Sequence, residues 1–368
     1  MFSTYRAEDV TILLKDISGM VEPLPTAERE RLIQSGVHYS AMLPIEYEPT
    51  AKYVEVYEDS LRRFALLTAA AVANVAEAVL AVRGDGIVLV SLARAGTSIG
   101  VLIKRYLWEK YRLIVPHYTV SIIRGIGIDK NAVNYILRRH AARYIQFVDG
   151  WTGKGAIKKQ LNAAMNDYPE LAPNLAVLSD PSGVADFCGT REDFLIASSC
   201  LNATVSGLLS RTFWRGDIIG EHDFHGAAFY SELKARDMTY GFIETVAANF
   251  AECADETTRK NILAASAHDG KVANCESCSE SERGGLTEVK KICREFGVDD
   301  INLVKPGIGE TTRVLLRRVP RCVLVHSTDD FVRLGHIFRL AEEKNVPIVP
   351  YPLNNYCACG IIAKLGDN

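Results

Sequence analysis

Short apolar runs separated by amphipathic stretches set the pattern of roughly the first 250 residues. "GIVLVSLA" (86–93), "HYTVSII" (117–123), "RYIQFVD" (143–149), "NLAVLSD" (174–180) and "DFLIASS" (193–199) have the length and apolarity of buried strands. Between several of them lie helical patterns such as "AVNYILRRHA" and "GAIKKQLNAAM". This alternation predicts an α/β fold with a parallel sheet covered on both faces. The N-terminal stretch of roughly 60 residues, with "MLPIEYEPT", fits less well and is expected to cap a sheet edge.

The most apolar stretch, Phe64 to Val82, is dominated by alanine and broken by Asn74 and Glu77. It reads as a buried helix, not a membrane span. The N-terminus carries no basic segment followed by an apolar run and a small-residue cleavage site, so no signal peptide is expected. Residues 251–286 are small, polar and charged and close on Gly-Gly, which reads as a linker. Beyond it a second pattern follows: strand "DINLVKP", helix "GETTRVLLRR", strand "RCVLVHS", helix "DDFVRLGHIFRLAEEKN" and strand "VPIVPYP". In the long helix Leu334, Ile337, Phe338 and Ala341 share one face while Arg333, Arg339, Glu342 and Glu343 face water. The expected organisation is a domain with its cap over 1–250, a linker over 251–286, and a compact α/β/α sandwich over 287–368.

Composition changes this picture little. A chain of 368 residues with 48% hydrophobic and 24% charged residues has ordinary globular composition and room for two domains. The net charge of -3 advertises neither a nucleic-acid nor a membrane partner, although a basic face can hide inside a balanced total. Nine cysteines, an odd number scattered along the chain, point to reduced thiols in a cytoplasmic protein. Cys275 and Cys278 form a CxxC, with Cys253 and Cys293 at a distance; lacking a second compact pair, it reads as a linker with two thiols rather than a zinc site.

Candidate chemistry centres on "FVDGWTGKGAI" (147–157). A Walker A loop is excluded, because Gly150 precedes Gly153 by three positions and Lys154 is followed by Gly155 instead of Ser or Thr. The better template is a strand ending in an acid, then a Thr/Gly loop, then a helix. Loop N–H groups there bind a phosphate while the carboxylate accepts hydrogen bonds from sugar hydroxyls. "VLVSLARAGTSIG" (88–100) supplies a second strand-to-helix turn with Arg94 at the bend; a plain turn capped by Thr97 is the alternative. Two such turns at the carboxyl ends of parallel strands would converge on one crevice. In "HYTVSIIRGIGIDKNAV" (117–133), Arg124, Gly125, Gly127, Asp129 and Lys130 suit either a loop that closes over a ligand or a simple tight bend.

These two turns resemble the PRPP motif and the pyrophosphate loop of type I phosphoribosyltransferases. Together with "GTREDFLIASSCLNATVSGLLSRT" (189–212) and "EHDFHGAAFY" (221–230), they resemble the phosphoribosyltransferase-like proteins of bacterial tellurium-resistance and stress-response gene clusters. The resemblance implies a type I phosphoribosyltransferase-like sheet. It also implies transfer of phosphoribose from PRPP to a base-like or nucleotide-derived acceptor, with release of pyrophosphate and Mg2+ as cofactor. Asp149 would hold the ribose and the metal, Gly150, Thr152, Gly153, Lys154 and Gly155 the 5′-phosphate, and Ala93, Arg94, Ala95, Gly96 and Thr97 the pyrophosphate. Arg94, Arg124 and Lys130 would stabilise developing charge, and Asn202, Ser206, Arg211, Asp223 and His225 would read the acceptor. Gly150 stands where the family usually has a second acid.

Two alternatives accompany this reading: a non-catalytic PRPP or nucleotide sensor, and a cysteine hydrolase. Some relatives carry a cysteine-protease label, which would make Cys200 a nucleophile served by His222 or His225. A strand-end thiol packed against the sheet is the preferred reading of Cys200.

"KPGIGETTRVLLRRV" (305–319) resembles the L7Ae/pelota RNA-binding domain, whose G-x-N-E-x-x-K appears here as Gly307, Ile308, Gly309, Glu310, Thr311, Thr312 and Arg313. "NNYCACG" (354–360) matches the loop beside it. The resemblance implies RNA as a partner of Gly307, Gly309, Glu310, Thr311 and Arg313, with Arg317, Arg318 and Arg321 adding charge for the RNA backbone. Gly309 replaces the family's Asn; a dimer or docking surface is the alternative role, and a homodimer is a further expectation.

Overall fold

Every residue of Val88–Leu92 is buried, as a strand covered on both faces must be. The computed structural model, which describes residues 2–265 and 284–364, places this strand inside a six-stranded sheet. The order is Thr11–Ile12, His117–Val120, Val88–Leu92, Ile145–Val148, Leu175–Ser179 and Phe187–Thr190. All five pairings are parallel. From Val88–Leu92 the chain crosses to His117–Val120 on one side, then returns to Ile145–Val148 on the other. The carboxyl ends of Val88–Leu92 and Ile145–Val148 therefore flank the point where strand order reverses.

"DFLIASS" is not a strand. The edge strand is Phe187–Thr190, and Ala197–Ser199 forms a short 3-10 turn. Phe194, Leu195 and Ile196 are buried all the same; a continuous apolar run reports burial, and pairing is a separate matter. The alanine-rich stretch belongs to one helix, Ala51–Arg83. Ala69, Ala70, Ala71, Ala73 and Ala76 have no exposed surface, so small side chains let the helix lie close to the sheet. It is long and apolar enough to cross a membrane, yet 56% of its most apolar window is buried inside the protein. Its two polar interruptions are satisfied there. Asn74 Nδ2 donates to the Gly189 carbonyl at 3.0 Å, and Glu77 accepts from Tyr106, Lys110 and Tyr111 at 2.6 to 2.7 Å.

The N-terminal segment adds the edge strand Thr11–Ile12 and pairs Lys15–Asp16 with Gly226–Ala227. At the other end of the domain, part of the expected linker is helical: Phe250–Cys253 and Glu256–Ala265. Phe250 and Cys253 enter the main core, and Ile262 and Leu263 pack against it. A polar, alanine-rich sequence looks like a linker until one face finds a helix to cover. Cys275 and Cys278 lie outside the described residues, and the seven described cysteines are free thiols.

The second sheet runs Val304–Pro306, Ala358–Ile362, Pro320–Val325, Ile348–Pro350. Ala358–Ile362, which the pattern did not mark as a strand, is buried throughout and pairs antiparallel with both neighbours. Along Pro320–Val325 the side chains alternate: Val323 and Val325 join the main core with Ile308, Leu315, Leu334 and Ile337, whereas Cys322 and Leu324 face Val289 and Ile292 of Gly285–Glu295. One hydrophobic cluster thus runs from the first sheet's helices into the second unit.

A candidate site in the cleft between the two units

Arg94 sits where Val88–Leu92 ends and the helix Ala95–Tyr111 begins, next to a cis Ala93–Arg94 peptide bond. Gly96, in the first turn of that helix, has no room for a side chain: a Cβ would lie 2.4 Å from the Val148 carbonyl oxygen. The bare backbone brings this turn against the neighbouring strand end, where Asp149 stands. Arg94 and Asp149 face the same cleft, of about 880 Å³, closed on its far side by Lys305, Glu310, Arg313 and Arg317 of the second unit.

The cleft walls are cationic. Arg94 Nη1 donates to the Leu209 carbonyl at 2.8 Å, Arg211 Nη2 to the Tyr39 carbonyl at 2.6 Å, and Arg317 Nη2 to the Cys200 carbonyl at 3.4 Å. None of these three, nor Lys305, forms an ion pair with a described carboxylate. Burial lowers the pKa of each, that of Arg211 to about 10. Asp149 shows the converse. Its carboxyl accepts the Gly150 N–H at 2.8 Å, and burial pushes its pKa up to about 7. A carboxyl raised this far contributes stability fully below its unfolded value of 3.8 and loses it as pH rises through 7. Asp149→Asn is therefore expected to stabilise the protein by about 2–4 kcal/mol at pH 8 and by little near pH 4, read from thermal melts at both pH values.

The side chains of the expected phosphate cradle are engaged elsewhere. Thr152 Oγ1 donates to Asp180, Lys154 Nζ caps the Ile301 and Val304 carbonyls of the second unit at 2.7 and 3.1 Å, and the Gly153 carbonyl accepts the Tyr356 hydroxyl at 2.7 Å. Gly155, with φ +76°, precedes the helix Ala156–Ala164. A loop read as reaching for a ligand instead holds the second unit.

Other expected site residues divide. Ala93, Ala95, Arg124, Asn202, Glu310 and Arg313 line the cleft with Arg94, Asp149 and Arg211. Thr97 is buried against Thr119, Lys130 pairs with Asp167, Asp223 with Lys15, and Ser206 donates to the Asn202 carbonyl. Arg317 and Arg318, expected to add charge for an RNA backbone, line the cleft too, and so do Tyr39, Tyr47, Tyr53, Trp151 and Lys305, which were not anticipated as ligand contacts. Among the described residues no group of three or more His, Cys, Asp or Glu side chains converges around Asp149, the residue expected to hold Mg2+.

The pelota-like motif faces inward. Asp193 of the first unit accepts the Ile308 N–H at 3.0 and 3.1 Å and the Cys357 N–H at 2.9 Å, seating a carboxylate at the N-terminus of the helix Ile308–Arg317. Burial raises the Asp193 pKa to about 6. Gly309 packs on Ser199, whose Oγ would be 2.8 Å from an added Cβ. The glycine that replaces the family's asparagine is what lets this helix approach. Arg313 bridges Glu310 and the Asn202 side chain, both at 3.0 Å, while Thr311 is buried and donates to the Lys305 carbonyl. Gly307 holds φ +94° beside Asp193.

Cys200 is fully buried in the main core. Burial pushes its thiol pKa up to about 12, against the pull of Arg313 and Arg317. The expected histidine partners are engaged elsewhere or exposed: His225 Nδ1 lies 2.9 Å from Ser121 Oγ and its N–H donates to Asp129, while His222 is on the surface. Neither bonds to Cys200. His326 Nδ1 bonds to the backbone carbonyl of Cys357 at 3.1 Å and not to its thiol, and its Nε2 is 3.6 Å from Asp330 Oδ2.

Comparison with known proteins gives this geometry its context. The family model described as tellurite-like stress resistance cysteine protease StiP matches residues 3–247, and that of the PELOTA RNA binding domain matches residues 283–364. A protein named cysteine protease StiP, from Acinetobacter baylyi, is 34% identical over 99% of this chain and 94% of its own length. Among solved structures, a Helicobacter pylori xanthine-guanine-hypoxanthine phosphoribosyltransferase is 17% identical and covers 37% of this chain and 77% of its own, at a TM-score of 0.22. The hypoxanthine phosphoribosyltransferase of Trypanosoma cruzi is 13% identical over 40% of this chain and 77% of its own, also at 0.22. Overlaps this slight carry no functional assignment. The expectation of a PRPP-dependent transferase is thereby corrected: the full-length relative and the family model both name a cysteine protease. The chain belongs to the family of tellurite-like stress resistance cysteine proteases, StiP.

Proposed function

We propose that the protein is a cysteine-dependent hydrolase of peptide bonds with Cys200 as nucleophile, held latent in the described conformation and joined to an RNA-binding domain. One observation carries the choice of residue. Only Cys188 and Cys200 fall within the matched residues 3–247. Cys188 packs against the cluster on the other face of the sheet, whereas Cys200 lies directly behind the cleft wall made by Asn202 and Arg317.

Two guanidinium groups beside a thiol favour the thiolate, the reacting form. In the closed arrangement burial outweighs them. Once the helix Ile308–Arg317 withdraws from the thiol, taking Arg313 and Arg317 with it, solvation of the uncovered thiol favours loss of its proton to water. The thiolate then adds to a peptide carbonyl and expels the amine, which takes up a proton. Water hydrolyses the resulting thioester and returns the thiol.

Hydrolysis of a fluorescent protein substrate is the test. Cys200→Ala is expected to lower the rate at least ~100-fold, while Cys188→Ala leaves it unchanged. Retained activity in Cys200→Ala overturns the assignment.

A further inference from the structure

The geometry points to the cleft between the two units as a binding site for single-stranded RNA, shared by both domains. The outer surface of the C-terminal domain is then not where RNA docks. The inference rests on reading that domain as RNA-binding, and goes beyond it by naming the place, the strandedness and the partner residues of the first unit.

Three observations support it. First, the motif expected to contact RNA is not turned outward: Ile308 and Gly309 are packed on Asp193 and Ser199, and Glu310 and Arg313 point into the cleft. RNA that reaches these side chains must enter the cleft. Second, Arg94 and Arg211 of the first unit and Lys305 and Arg317 of the second line one space, and none has a described carboxylate partner. Arg211 Nε is buried without a hydrogen-bond acceptor. Half-buried cations with no ion-pairing side chain are matched to a multiply charged anion. Of the four carboxylates in the lining, Glu310 is paired with Arg313 and Glu48 with Arg236, burial raises the pKa of Asp149 to about 7, and Glu46 acts on Arg94 and Arg317 through space without forming an ion pair.

Third, aromatic rings lie among the cations. Tyr39, Tyr47, Tyr53 and Trp151 border the cleft, and Tyr47 is 66% exposed. Cations that track a phosphodiester backbone, with rings on which bases stack, are the chemistry of single-strand binding. Arg124 and Arg211 lie over Tyr39 and Arg317 over Tyr53, which leaves Tyr47 and Trp151 as the rings for stacking, a use that an acidic peptide would not make of them. A paired helix hides its base faces from the rings. The volume of about 880 Å³ lies within the ~300–1,000 Å³ range of ligand clefts, so it takes a short stretch of strand.

The test uses full-length Cys200→Ala protein, so that hydrolysis does not intervene, and a fluorescein-labelled single-stranded RNA of about ten nucleotides. Fluorescence anisotropy is expected to show binding that weakens steeply with salt. Arg211→Ala and Arg317→Ala, each checked for a wild-type melting curve, are expected to weaken it at least ~10-fold, and Tyr47→Ala ~5-fold or more. Unlabelled duplex RNA, inorganic phosphate and a polyglutamate peptide are expected to compete at least ~10-fold less well than single-stranded RNA. RNA binding that the three variants leave unchanged overturns the cleft assignment while leaving an RNA-binding domain in place. No RNA binding at all overturns both, and stronger competition by polyglutamate turns the cleft into a peptide site.

Discussion

Replacing Asp193 by alanine is expected to unseat the helix Ile308–Arg317 and to speed alkylation of Cys200 by iodoacetamide at least ~10-fold. Asp193 reaches across from the first unit to two backbone donors of the second, the N–H groups of Ile308 and Cys357. Removing it orphans both in a buried interface, at a cost of about 1–3 kcal/mol each. The helix that loses its anchor carries Arg313 and Arg317, which bond to the Asn202 side chain and the Cys200 carbonyl over the buried thiol. Mass spectrometry of the labelled protein identifies the modified cysteine. Asp193→Asn, which keeps an acceptor oxygen, is expected to fall between wild type and alanine. A lower melting temperature with unchanged Cys200 labelling would mean that something other than this interface covers the thiol. Latency of the proposed nucleophile would then need another cause.

The second large effect is expected at Gly96. A methyl group there meets the Val148 carbonyl oxygen at 2.4 Å and the Asp149 Cα at 3.0 Å, both backbone atoms that cannot turn aside. The helix Ala95–Tyr111 must shift away from the strand Ile145–Val148, which opens the floor of the cleft and loosens the core beneath it. Overpacking of this kind costs about 3 kcal/mol or more, equivalent to a fall of roughly 6–12 °C in melting temperature. Gly153→Ala is the control, since no heavy atom lies within 4 Å of its added Cβ. Equal melting curves for the two variants would show that the close approach is not needed.

Much of the architecture follows from local pattern. Apolar runs ending at Leu92, Val148 and Ser179 became parallel strands because residues covered on both faces must be apolar throughout, whatever surrounds them. The two strand-terminal turns at Arg94 and Asp149 were legible as a shared crevice, because a parallel sheet places all its carboxyl ends on one edge. The run at 193–199 and the strand Ala358–Ile362 were misread for the same reason in opposite directions: apolarity reports burial, and hydrogen-bond partners come from elsewhere in the chain. The segment 251–265 was misread because its partner, the helix Ala51–Arg83, lies far away in sequence.

By itself, then, the amino-acid order determined most of the elements, the two-sheet plan and the position of one cationic turn, all properties of short segments and their periodicity. Only the tertiary structure decided which groups are free to act. Lys154 and Thr152, good phosphate ligands on paper, are committed to carbonyls and carboxylates of distant residues. Cys200 and His225 are held in separate neighbourhoods, and Lys305 and Arg317 come from some 200 residues away to face Arg94. Charge, burial and hydrogen bonding act through space, and contacts between residues this far apart in the chain leave no periodic trace in its sequence.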